Sequence, residues 1–478
     1  MIPRLDISKK TKVICTIGPA SESDQMIEKL ALAGMNVARL NFSHGTHEQH
    51  AARIETVRRV SSRLGLPLAV LQDLPGPKIR TGRLQKGKVL LKAGEQLILT
   101  NQNIVGDEHR ISVTLLSLPE DVNPGGTVFL SDGSIKLEVL DTTESEVRCR
   151  IVTGGVLTPR KGMNIPGVRL SMSAITDDDL KHLQFGLKHG VDFVALSFIG
   201  EAADVVKAKQ FLQSRGATVP LIAKIEKREA VDNVNEIIAA ADGIMVARGD
   251  LGVEIPLRRV PLVQKEIISR CNRVGKPVVV ATQMLESMVH SPYPTRAEVS
   301  DVANAILDGA DAVMLSEETA AGAYPEKATS MMAKVATEAG AALPYRHILS
   351  EKVTTLVPQT DDAISYAACQ IAEQLGAVAI IACTSSGSTA QRVAKYRPKA
   401  PILAITSRGD IVRRLALYWG VYPRKVAQYT TVEEVFKQGA QLAVKLGLAR
   451  TGDLLVITAG VPFGTPGSTN MLKVQKIA

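Results

Sequence analysis

Short runs of β-branched and aliphatic residues alternate with amphipathic helical segments in this chain, and this alternation restricts the fold more than any other feature. Eight such runs occur, with a long gap after the third: KVICTI, NVARLNF, LAVLQD, FVALSF, LIAKIE, GIMVA, PVVVAT and DAVMLS. Segments such as REAVDNVNEIIAAA lie between them and are typical of amphipathic helices. Strand and helix repeated in this way predict an α/β fold, a (β/α)8 TIM barrel.

The gap between the third and fourth runs has a different pattern. In its segments apolar and polar residues alternate with a period of two, as in VLLKAGEQLILT, TVFLSDGSIKLEVL and EVRCRIV, and Gly, Asp and Asn separate them. This pattern predicts an inserted all-β domain. Because it follows the third strand, the insert should emerge at the C-terminal face of the barrel, where it can act as a lid.

A third pattern begins near Leu343, where AVAIIAC, PILAIT and DLLVIT alternate with helical stretches. A smaller α/β domain with a mostly parallel sheet is the simplest account. We therefore predict three domains: a catalytic barrel at 1–75 and 171–342, an inserted β-barrel lid at 76–170, and a C-terminal α/β regulatory domain at 343–478.

Length and composition agree with two or three globular domains. The chain has 478 residues, of which 45% are hydrophobic and 22% charged. Its net charge of +9 would suit nucleic acid, but the basic residues are scattered and only one Trp and eight Phe can stack on bases. We predict no nucleic-acid partner.

Cysteine usage indicates a reducing compartment. The cysteines are odd in number and widely spaced, which disfavours a disulfide framework and a zinc cluster: Cys15, Cys149, Cys271, Cys369 and Cys383. The segment MIPRLDISKKT lacks the apolar core of a signal peptide, and no apolar run approaches the length that spans a bilayer. The sequence predicts a cytoplasmic protein without a membrane partner.

Polar residues stand where the predicted barrel strands end. Reacting groups of (β/α)8 barrels lie at this C-terminal face, in the loops that follow the strands. The strand-end residues should therefore converge on one mouth: Arg39, Asn41, Ser43, Asp73, Ser197, Lys224, Glu226, Arg248, Asp250, Thr282, Gln283 and Ser316.

Lys224 and Glu226 interrupt an apolar run and point to the same face of an extended strand. One interpretation is a buried structural ion pair, although desolvation can exceed the attraction within such a pair. With Asp250 ending the next strand, the other interpretation is a site that holds a divalent cation and an anionic substrate. We favour the second, with Mg²⁺ or Mn²⁺ as the cation.

The segment MVARGDLGVE adds a predicted anion site. Gly249 and Gly252 allow the backbone to turn sharply, and the amides of Ala247, Arg248 and Gly249 at the start of a short helix can bind a carboxylate or phosphate. A plain strand-to-helix turn is the alternative.

The segment HGTHEQH, with His44, His47 and His50, superficially resembles a metal cluster. Its i, i+3, i+6 spacing is more typical of a solvated helix face than of a zinc site. We predict no zinc here, while His44, next to a strand end, can still contact a phosphate.

Eight strings that follow one another through nearly the whole chain carry a family resemblance: TIGPAS, NVARLNFSHGTHE, GPKIRTG, AKIE, MVARGDLGVE, ATQMLESM, PTRAEVSDVANAILDGADAVMLS and ITAGVP. Together they strongly resemble the pyruvate kinase family. The resemblance implies that the phosphoryl group of phosphoenolpyruvate passes to ADP, as in glycolysis, and that the enolate is then protonated to pyruvate.

The resemblance also implies roles for single residues. Glu226 and Asp250 resemble the Mg²⁺ ligands, and Lys224 resembles the lysine that stabilises charge on the phosphoryl and enolate oxygens. Thr282 matches the threonine near the enolate carbon, a candidate proton relay, and Arg39 matches the phosphate-binding arginine. The remaining expected contacts are with substrate at Ala247, Arg248 and Gly249, with nucleotide or phosphate at Asn41, His44 and Arg80, and with a monovalent cation at Asn41, Ser43, Asp73 and Leu74.

This chain departs from the family at the monovalent-cation site. Where the family commonly has Asp-Thr-Lys-Gly-Pro-Glu, this chain reads Asp73-Leu74-Pro75-Gly76-Pro77-Lys78. The ammonium of Lys78 is a compact positive charge that can take the place of K⁺, and two like charges in one small site would repel each other. We predict that K⁺ is not required. A solvent-facing Lys78 is the alternative.

Two further departures concern the nucleotide and the last barrel loop. Asp178 stands where the family often has a lysine thought to reach the nucleotide, and Glu317 stands where Gly is common. The first puts the usual nucleotide contact in doubt, and the sequence does not say what the second changes.

The C-terminal domain contains a predicted effector site. A loop rich in hydroxyl groups precedes a helix there and suits an effector phosphate, although an ordinary helix cap is nearly as good an interpretation: Thr384, Ser385, Ser386, Gly387, Ser388 and Thr389. The resemblance implies a homotetramer, with a dimer as the alternative.

Two rival functions stay open from the sequence. One is a Mg²⁺-dependent lyase acting on pyruvate enolates, and the other is a non-catalytic RNA-binding role suggested by the net charge of +9. The inserted lid and Arg39 favour a phosphoryl substrate.

Overall fold

The computed structural model describes residues 7–131, 133–168, 172–429, 431–462 and 469–478. Eight parallel strands pair in chain order and close into a barrel, which confirms the predicted runs: Lys12–Thr16, Val37–Asn41, Ala69–Asp73, Phe193–Leu196, Leu221–Ile225, Gly243–Ala247, Val278–Ala281 and Ala312–Leu315. Nearly every strand residue is buried, because the barrel interior covers one face and the helices cover the other.

Helices surround the barrel and fill the connections between its strands. Several begin with capping boxes, as at Thr46 with Gln49 and at Thr295 with Glu298, which satisfy the first free amides of each helix. The α-helices are Asp24–Leu32, His47–Leu64, Asp177–His189, Ala202–Ser214, Arg228–Asp232, Val234–Ala240, Arg248–Glu254, Val260–Val274, Arg296–Leu307, Glu317–Ala320 and Pro325–Ala341, with short 3-10 helices at Leu257–Arg259 and Glu286–Val289.

The insert after the third barrel strand is built from β-strands and one four-residue helix, Leu118–Asp121. Burial alternates along Ile135–Thr142, as predicted for strands with one face in a core. The strands are Arg83–Leu84, Val89–Leu91, Gln96–Thr100, Val105–Gly106, Arg110–Ser112, Thr127–Leu130, Ile135–Thr142, Glu146–Thr153, Gly155–Leu157 and Met163–Asn164. The predicted boundary at 170/171 lies outside the described residues.

The C-terminal domain has a five-stranded sheet in which only the last strand is antiparallel. In sheet order the strands are Val421–Lys425, Ile402–Thr406, Ala379–Cys383, Leu454–Gly460 and Thr469–Lys476. Its helices are Tyr345–Glu351, Thr360–Leu375, Ser388–Lys395, Gly409–Leu415 and Val432–Lys445, with a 3-10 helix at Lys352–Thr355.

The two edge strands of this sheet were not predicted from the sequence. Val421–Lys425 contains Pro423 and two basic residues, and Thr469–Lys476 is largely solvent-accessible. Proline and lysine are tolerated at sheet edges because one side of the backbone faces solvent there.

The C-terminal domain packs against the N-terminal ends of the barrel strands. Asp311, which precedes the eighth strand, accepts two hydrogen bonds of 2.8 and 2.9 Å from the guanidinium of Arg397. Lys12, at the start of the first strand, donates to the carbonyl of Val421 at 2.6 Å. Trp419 is 2% exposed. The insert and the C-terminal domain therefore lie at opposite ends of the barrel. Within the described residues, no helix is long and apolar enough to cross a membrane.

Candidate active site

A buried cluster of charges lies where the third, fourth and fifth barrel strands end. The ammonium nitrogen of Lys224 is 2.7 Å from Glu226 Oε1 and 3.3 Å from Asp73 Oδ1, and it donates a 2.8 Å hydrogen bond to Ser197 Oγ. Burial alone would lower the pKa of Lys224, but the carboxylates of Asp73 and Glu226 outweigh it and raise the pKa to about 12. Lys224 is therefore a fixed positive charge in a buried site.

Arg39 adds a second cation to this cluster. Its Nε donates to Asp73 Oδ2 at 2.7 Å and its Nη1 donates to Thr16 Oγ1 at 2.9 Å. Burial would raise the pKa of Asp73, yet Lys224 and Arg39 hold it below its usual value. Asp73 thus orients both cations at the mouth of the barrel.

Glu226 and Asp250 have the chemistry that a hard divalent cation requires. Glu226 Oε2 accepts a 2.8 Å hydrogen bond from the Phe198 amide, and the buried Oε1 is paired with the Lys224 ammonium at 2.7 Å. Asp250 lies in the first turn of the helix that follows the sixth strand. Among the residues that the structure describes, no group of three or more His, Cys, Asp or Glu is arranged for a metal. The two carboxylates fit a cation that takes its other ligands from substrate and water.

Thr282 occupies a strained turn after the seventh strand. Its φ is +69° and that of Gln283 is +55°, an uncommon conformation for residues other than glycine. Thr282 Oγ1 accepts a 2.8 Å hydrogen bond from the Gly249 amide and donates to the Ala281 carbonyl at 2.6 Å. A β-branched residue held in this conformation marks a position that the surroundings determine closely.

At the predicted anion site of Ala247, Arg248 and Gly249, one of the three amides already has a partner. The Gly249 amide is already used by Thr282, so it is not open to an anion in this structure. The Arg248 guanidinium points to the carbonyls of Thr282 and Gln283. A sequence cannot reveal this, because both partners lie more than thirty residues away along the chain.

A cavity of about 430 Å³ joins the barrel mouth to the insert. It is lined by residues of both, among them His44, Lys78, Arg80, Lys161, Asp250 and Glu317. The pKa of Lys78 is lowered mainly by burial and further by the nearby positive charge of Lys224. The carboxylates of Asp250 and Glu226 oppose this lowering. The cavity thus receives positive charge from the insert and its linker and negative charge from the barrel.

The histidine segment lies beside this cavity and differs in part from the prediction. His50 is 1% exposed, its ring stacks on Phe42 with centroids 4.0 Å apart, and its Nε2 is 2.9 Å from the His44 carbonyl oxygen. The prediction of a solvated helix face is therefore wrong for His50. His47 Nε2 is 2.8 Å from His182 Nδ1, on the helix that follows the insert. The hydrophobic Phe42 and the facing helix explain the burial.

The remaining predicted residues lie as follows. Asn41 Oδ1 accepts a 3.1 Å hydrogen bond from the Ser43 amide, and Leu74 is buried. Asp178 pairs with Lys181 at 2.6 Å on an exposed helix start. The Thr384–Thr389 loop lies in the C-terminal domain, apart from the mouth; there Thr384 Oγ1 accepts from the Gly387 amide at 2.8 Å.

Two residues of the mouth, Ser197 and Thr16, and one outside it, Asp301, had no individual predicted role, although Ser197 was expected at the mouth as a strand-end residue. Ser197 bridges Lys224 and Asp73, with its hydroxyl 3.4 Å from Asp73 Oδ1, and Thr16 supports Arg39. Asp301 pairs with Arg248. Thr16 and Ser197 end or follow barrel strands, so the strand-end rule can find them. Asp301 lies within a helix and carries no such signal.

Glu254, on the cavity wall, gives a prediction about stability. Burial, with Glu229 and Asp250, raises its pKa to about 7 against the opposing Lys227 and the Asn164 side chain of the insert. A raised carboxyl pKa contributes stability that is present below its unfolded value and lost as the pH rises through the folded value. As the pH rises from about 5 to about 8, we expect the free energy of unfolding to fall less for Glu254→Gln than for the unmodified protein.

Urea unfolding of the metal-free protein at several pH values measures this difference. Glu317→Gln, which removes an exposed carboxylate from the same cavity wall, is the control and should keep the pH dependence of the unmodified protein. Identical pH profiles for all three proteins would contradict the burial assigned to Glu254.

Comparisons with known proteins show the family to which the chain belongs. A model of the pyruvate kinase barrel domain matches residues 8–329, and a model of the pyruvate kinase alpha/beta domain matches residues 362–475. A pyruvate kinase from Geobacillus stearothermophilus is 49% identical over 475 residues, covering 99% of this chain and 81% of that protein. One from Staphylococcus aureus is 46% identical over 471 residues, covering 98% of this chain and 80% of that protein.

The fold gives the same result. The crystal structure of a pyruvate kinase from Cryptosporidium parvum superposes with a TM-score of 0.94 at 38% sequence identity, covering 100% of this chain and 98% of that one. Family models, relatives and structure together cover both the barrel and the C-terminal domain. The chain belongs to the pyruvate kinase family of phosphotransferases.

Proposed function

We propose that this protein transfers the phosphoryl group of phosphoenolpyruvate to ADP, forming pyruvate and ATP as a step of glycolysis in the cytoplasm. The observation that carries the proposal is the Lys224 cluster, in which a buried ammonium lies 2.7 Å from Glu226 and 3.3 Å from Asp73 beside Arg39. Phosphoryl transfer depends mainly on positioning and on stabilising the charge of the moving group, and two fixed cations provide both.

The roles of the residues follow from their positions. Lys224 and Arg39 stabilise negative charge on the phosphoryl and enolate oxygens, and Asp73 keeps both cations oriented. Glu226 and Asp250 hold Mg²⁺ or Mn²⁺, which when bound neutralises charge on the substrate's oxygens. Thr282 lies at the same mouth and passes a proton to the enolate carbon after transfer.

The nucleotide binds in the cavity between the mouth and the insert. His44 and Arg80 line that cavity and offer contacts to its phosphates, with Asn41 nearby on the second strand. Asp178, on the exposed helix start, does not supply a cation there, and Lys161 of the insert lines the cavity instead. We expect Lys161 to take over part of the phosphate binding.

The rival lyase makes a different prediction about ADP. A phosphotransferase forms pyruvate from phosphoenolpyruvate only when ADP is present, with one ATP for each pyruvate, whereas a lyase neither needs ADP nor forms ATP. A coupled lactate dehydrogenase assay with and without ADP, with ATP measured separately, tests the proposal. Pyruvate formation from phosphoenolpyruvate that does not depend on ADP would overturn it.

We also propose that the reaction does not need K⁺, which members of this family usually use. Around the expected cation site, the Asp73 carboxylate already contacts Arg39 and Lys224, the Asn41 side-chain oxygen accepts from Ser43, and buried Leu74 has no side-chain oxygen. These residues offer K⁺ few free ligands. Lys78 supplies the missing charge.

The position of Lys78 refines that idea. No ion pair joins Lys78 to Asp73 among the described residues, and the carboxylates that oppose its lowered pKa are Asp250 and Glu226. We therefore propose that the Lys78 ammonium lies on the cavity wall and stabilises charge at the metal and phosphoryl positions. It does not occupy the expected K⁺ site itself.

Lys78→Glu, alone or with Leu74→Thr, is expected to create a K⁺ requirement. Loss of the ammonium removes one positive charge from the phosphoryl site, so we expect the rate in K⁺-free buffer to fall about tenfold or more and to recover when KCl is added. Lys88→Glu reverses the same charge on an exposed residue of the insert and should change neither rate. A variant that is equally active with and without K⁺ would refute the role of Lys78.

The C-terminal domain is proposed to regulate a homotetramer, with a dimer as the alternative. The Thr384–Thr389 segment runs into the first turn of the helix Ser388–Lys395 and is proposed to bind an effector phosphate. One of its hydroxyl groups already has a partner, since Thr389 Oγ1 is 2.7 Å from Thr469 Oγ1. The competing interpretation is an ordinary helix cap, although the N-cap residue is Gly387 and no side-chain hydrogen bond caps the helix among the described residues. Calorimetric titration with sugar phosphates and nucleotides separates the two.

A further inference from the structure

We infer that Arg248, held by Asp301, is a positioning residue that fixes Thr282 for the protonation step. The inference rests on the proposed role of Thr282 in that step. It concerns an ion pair that joins the start of the helix Arg248–Glu254 to the helix Arg296–Leu307.

One edge of the Arg248 guanidinium faces the turn after the seventh strand. Its Nη2 donates to the Thr282 carbonyl at 2.9 Å and lies 3.2 Å from the Gln283 carbonyl, and its Nε is 3.3 Å from the Thr282 carbonyl. Both residues of this turn have positive φ, so their carbonyls point where an ordinary turn would not place them. The guanidinium is the group that satisfies them.

Asp301 holds the Nη1 group of the guanidinium. The carboxylate oxygens of Asp301 lie 2.6 and 2.8 Å from Arg248 Nη1, and the Arg248 side chain is only 11% exposed. A planar guanidinium held at Nη1 by a carboxylate and at Nη2 by backbone carbonyls has little freedom to swing, and a lysine could not contact both partners in this way.

Thr282 is thus held through two of its groups by the consecutive residues Arg248 and Gly249. The Gly249 amide holds its hydroxyl at 2.8 Å, and the Arg248 side chain holds its carbonyl. The next residue is Asp250, a proposed metal ligand. The proton donor and the metal ligand are therefore parts of one rigid unit, and Asp301 sets its orientation from outside the mouth.

The test compares proton exchange with substrate binding. Arg248→Met and Asp301→Asn should each slow the exchange of pyruvate methyl protons with D2O, followed by proton NMR, by about tenfold or more, because positioned proton transfer contributes about a hundredfold or more. The half-saturating phosphoenolpyruvate concentration should change by no more than about twofold, since uniform binding is untouched. Asp308→Asn removes a carboxylate that pairs with Lys265 at the end of the same helix and should leave the exchange rate unchanged.

A double-mutant cycle separates positioning from general damage. If Arg248 acts through Thr282, adding Arg248→Met to Thr282→Ala should cause little further loss of exchange, whereas independent effects would multiply. The inference would be overturned if the effects of the two substitutions multiplied. It would also be overturned if Arg248→Met and Asp301→Asn both showed normal exchange while Thr282→Ala lost it. Normal exchange in Thr282→Ala would instead overturn the proposed relay itself. If Arg248→Met does not fold, Asp301→Asn, which keeps the arginine, decides the question.

Discussion

Replacing Lys224 with Met is expected to lower kcat by about a hundredfold to a thousandfold, the usual effect of removing one group that stabilises developing negative charge. The half-saturating phosphoenolpyruvate concentration should change far less, because the charge is needed most in the transition state. The ammonium is buried, lies 2.7 Å from Glu226 and has a pKa raised to about 12, so no solvent cation can replace it readily.

Stability must be measured beside activity in this variant. Loss of the ammonium leaves the Glu226 and Asp73 carboxylates without a shared partner, which is destabilising in a buried site. Thermal unfolding with bound Mg²⁺ identifies any folding defect, and Lys265→Met, which removes an exposed ion pair with Asp308, should retain full activity. A defect confined to substrate half-saturation would show that Lys224 has only a binding role.

Glu226→Gln and Asp250→Asn are expected to raise the Mg²⁺ concentration for half-maximal rate by about tenfold to a hundredfold or more, since even indirect partners of a metal have effects of that size. Glu226 Oε1 is buried and lies 2.7 Å from the Lys224 ammonium, in the charge cluster where the divalent cation is proposed to bind. The neutral amides lose the charge that attracts Mg²⁺ and offer one weaker oxygen ligand.

Glu317→Gln is the matched control for the metal variants. It removes an exposed carboxylate from the wall of the same cavity and is not a proposed ligand, so its Mg²⁺ titration should match that of the unmodified protein. Initial rates measured across Mg²⁺ concentrations give the comparison. If the titrations of Glu226→Gln and Asp250→Asn were also unchanged, neither residue would belong to the metal site.

The barrel was predictable from sequence because its strands are buried on both faces and therefore appear as continuous apolar runs. The mouth was predictable for a related reason: a charged residue such as Lys224 within such a run must face the barrel opening, where partners such as Asp73 are available. The edge strands of the C-terminal sheet were missed because solvent relaxes the demand for apolar residues there.

Side-chain contacts between residues far apart in the chain could not be predicted from the sequence. Arg248 contacts Thr282 and Asp301, which lie 34 and 53 residues away, and no periodicity connects them. The burial of His50 depends on Phe42 and on a helix that begins after the insert, so the local spacing alone gave the wrong environment. Local patterns indicate which residues can react, while the packing decides which contacts they make.

We propose that this mouth transfers a phosphoryl group to ADP without K⁺, and that Lys78 supplies the missing positive charge from the cavity wall. The most direct test is the initial rate of ADP-dependent pyruvate formation by the unmodified protein with Mg²⁺ in a tetramethylammonium buffer, before and after addition of KCl. We expect full activity before the addition of KCl and no more than a small change after it. Negligible activity without K⁺, followed by strong activation on adding KCl, would contradict the proposal.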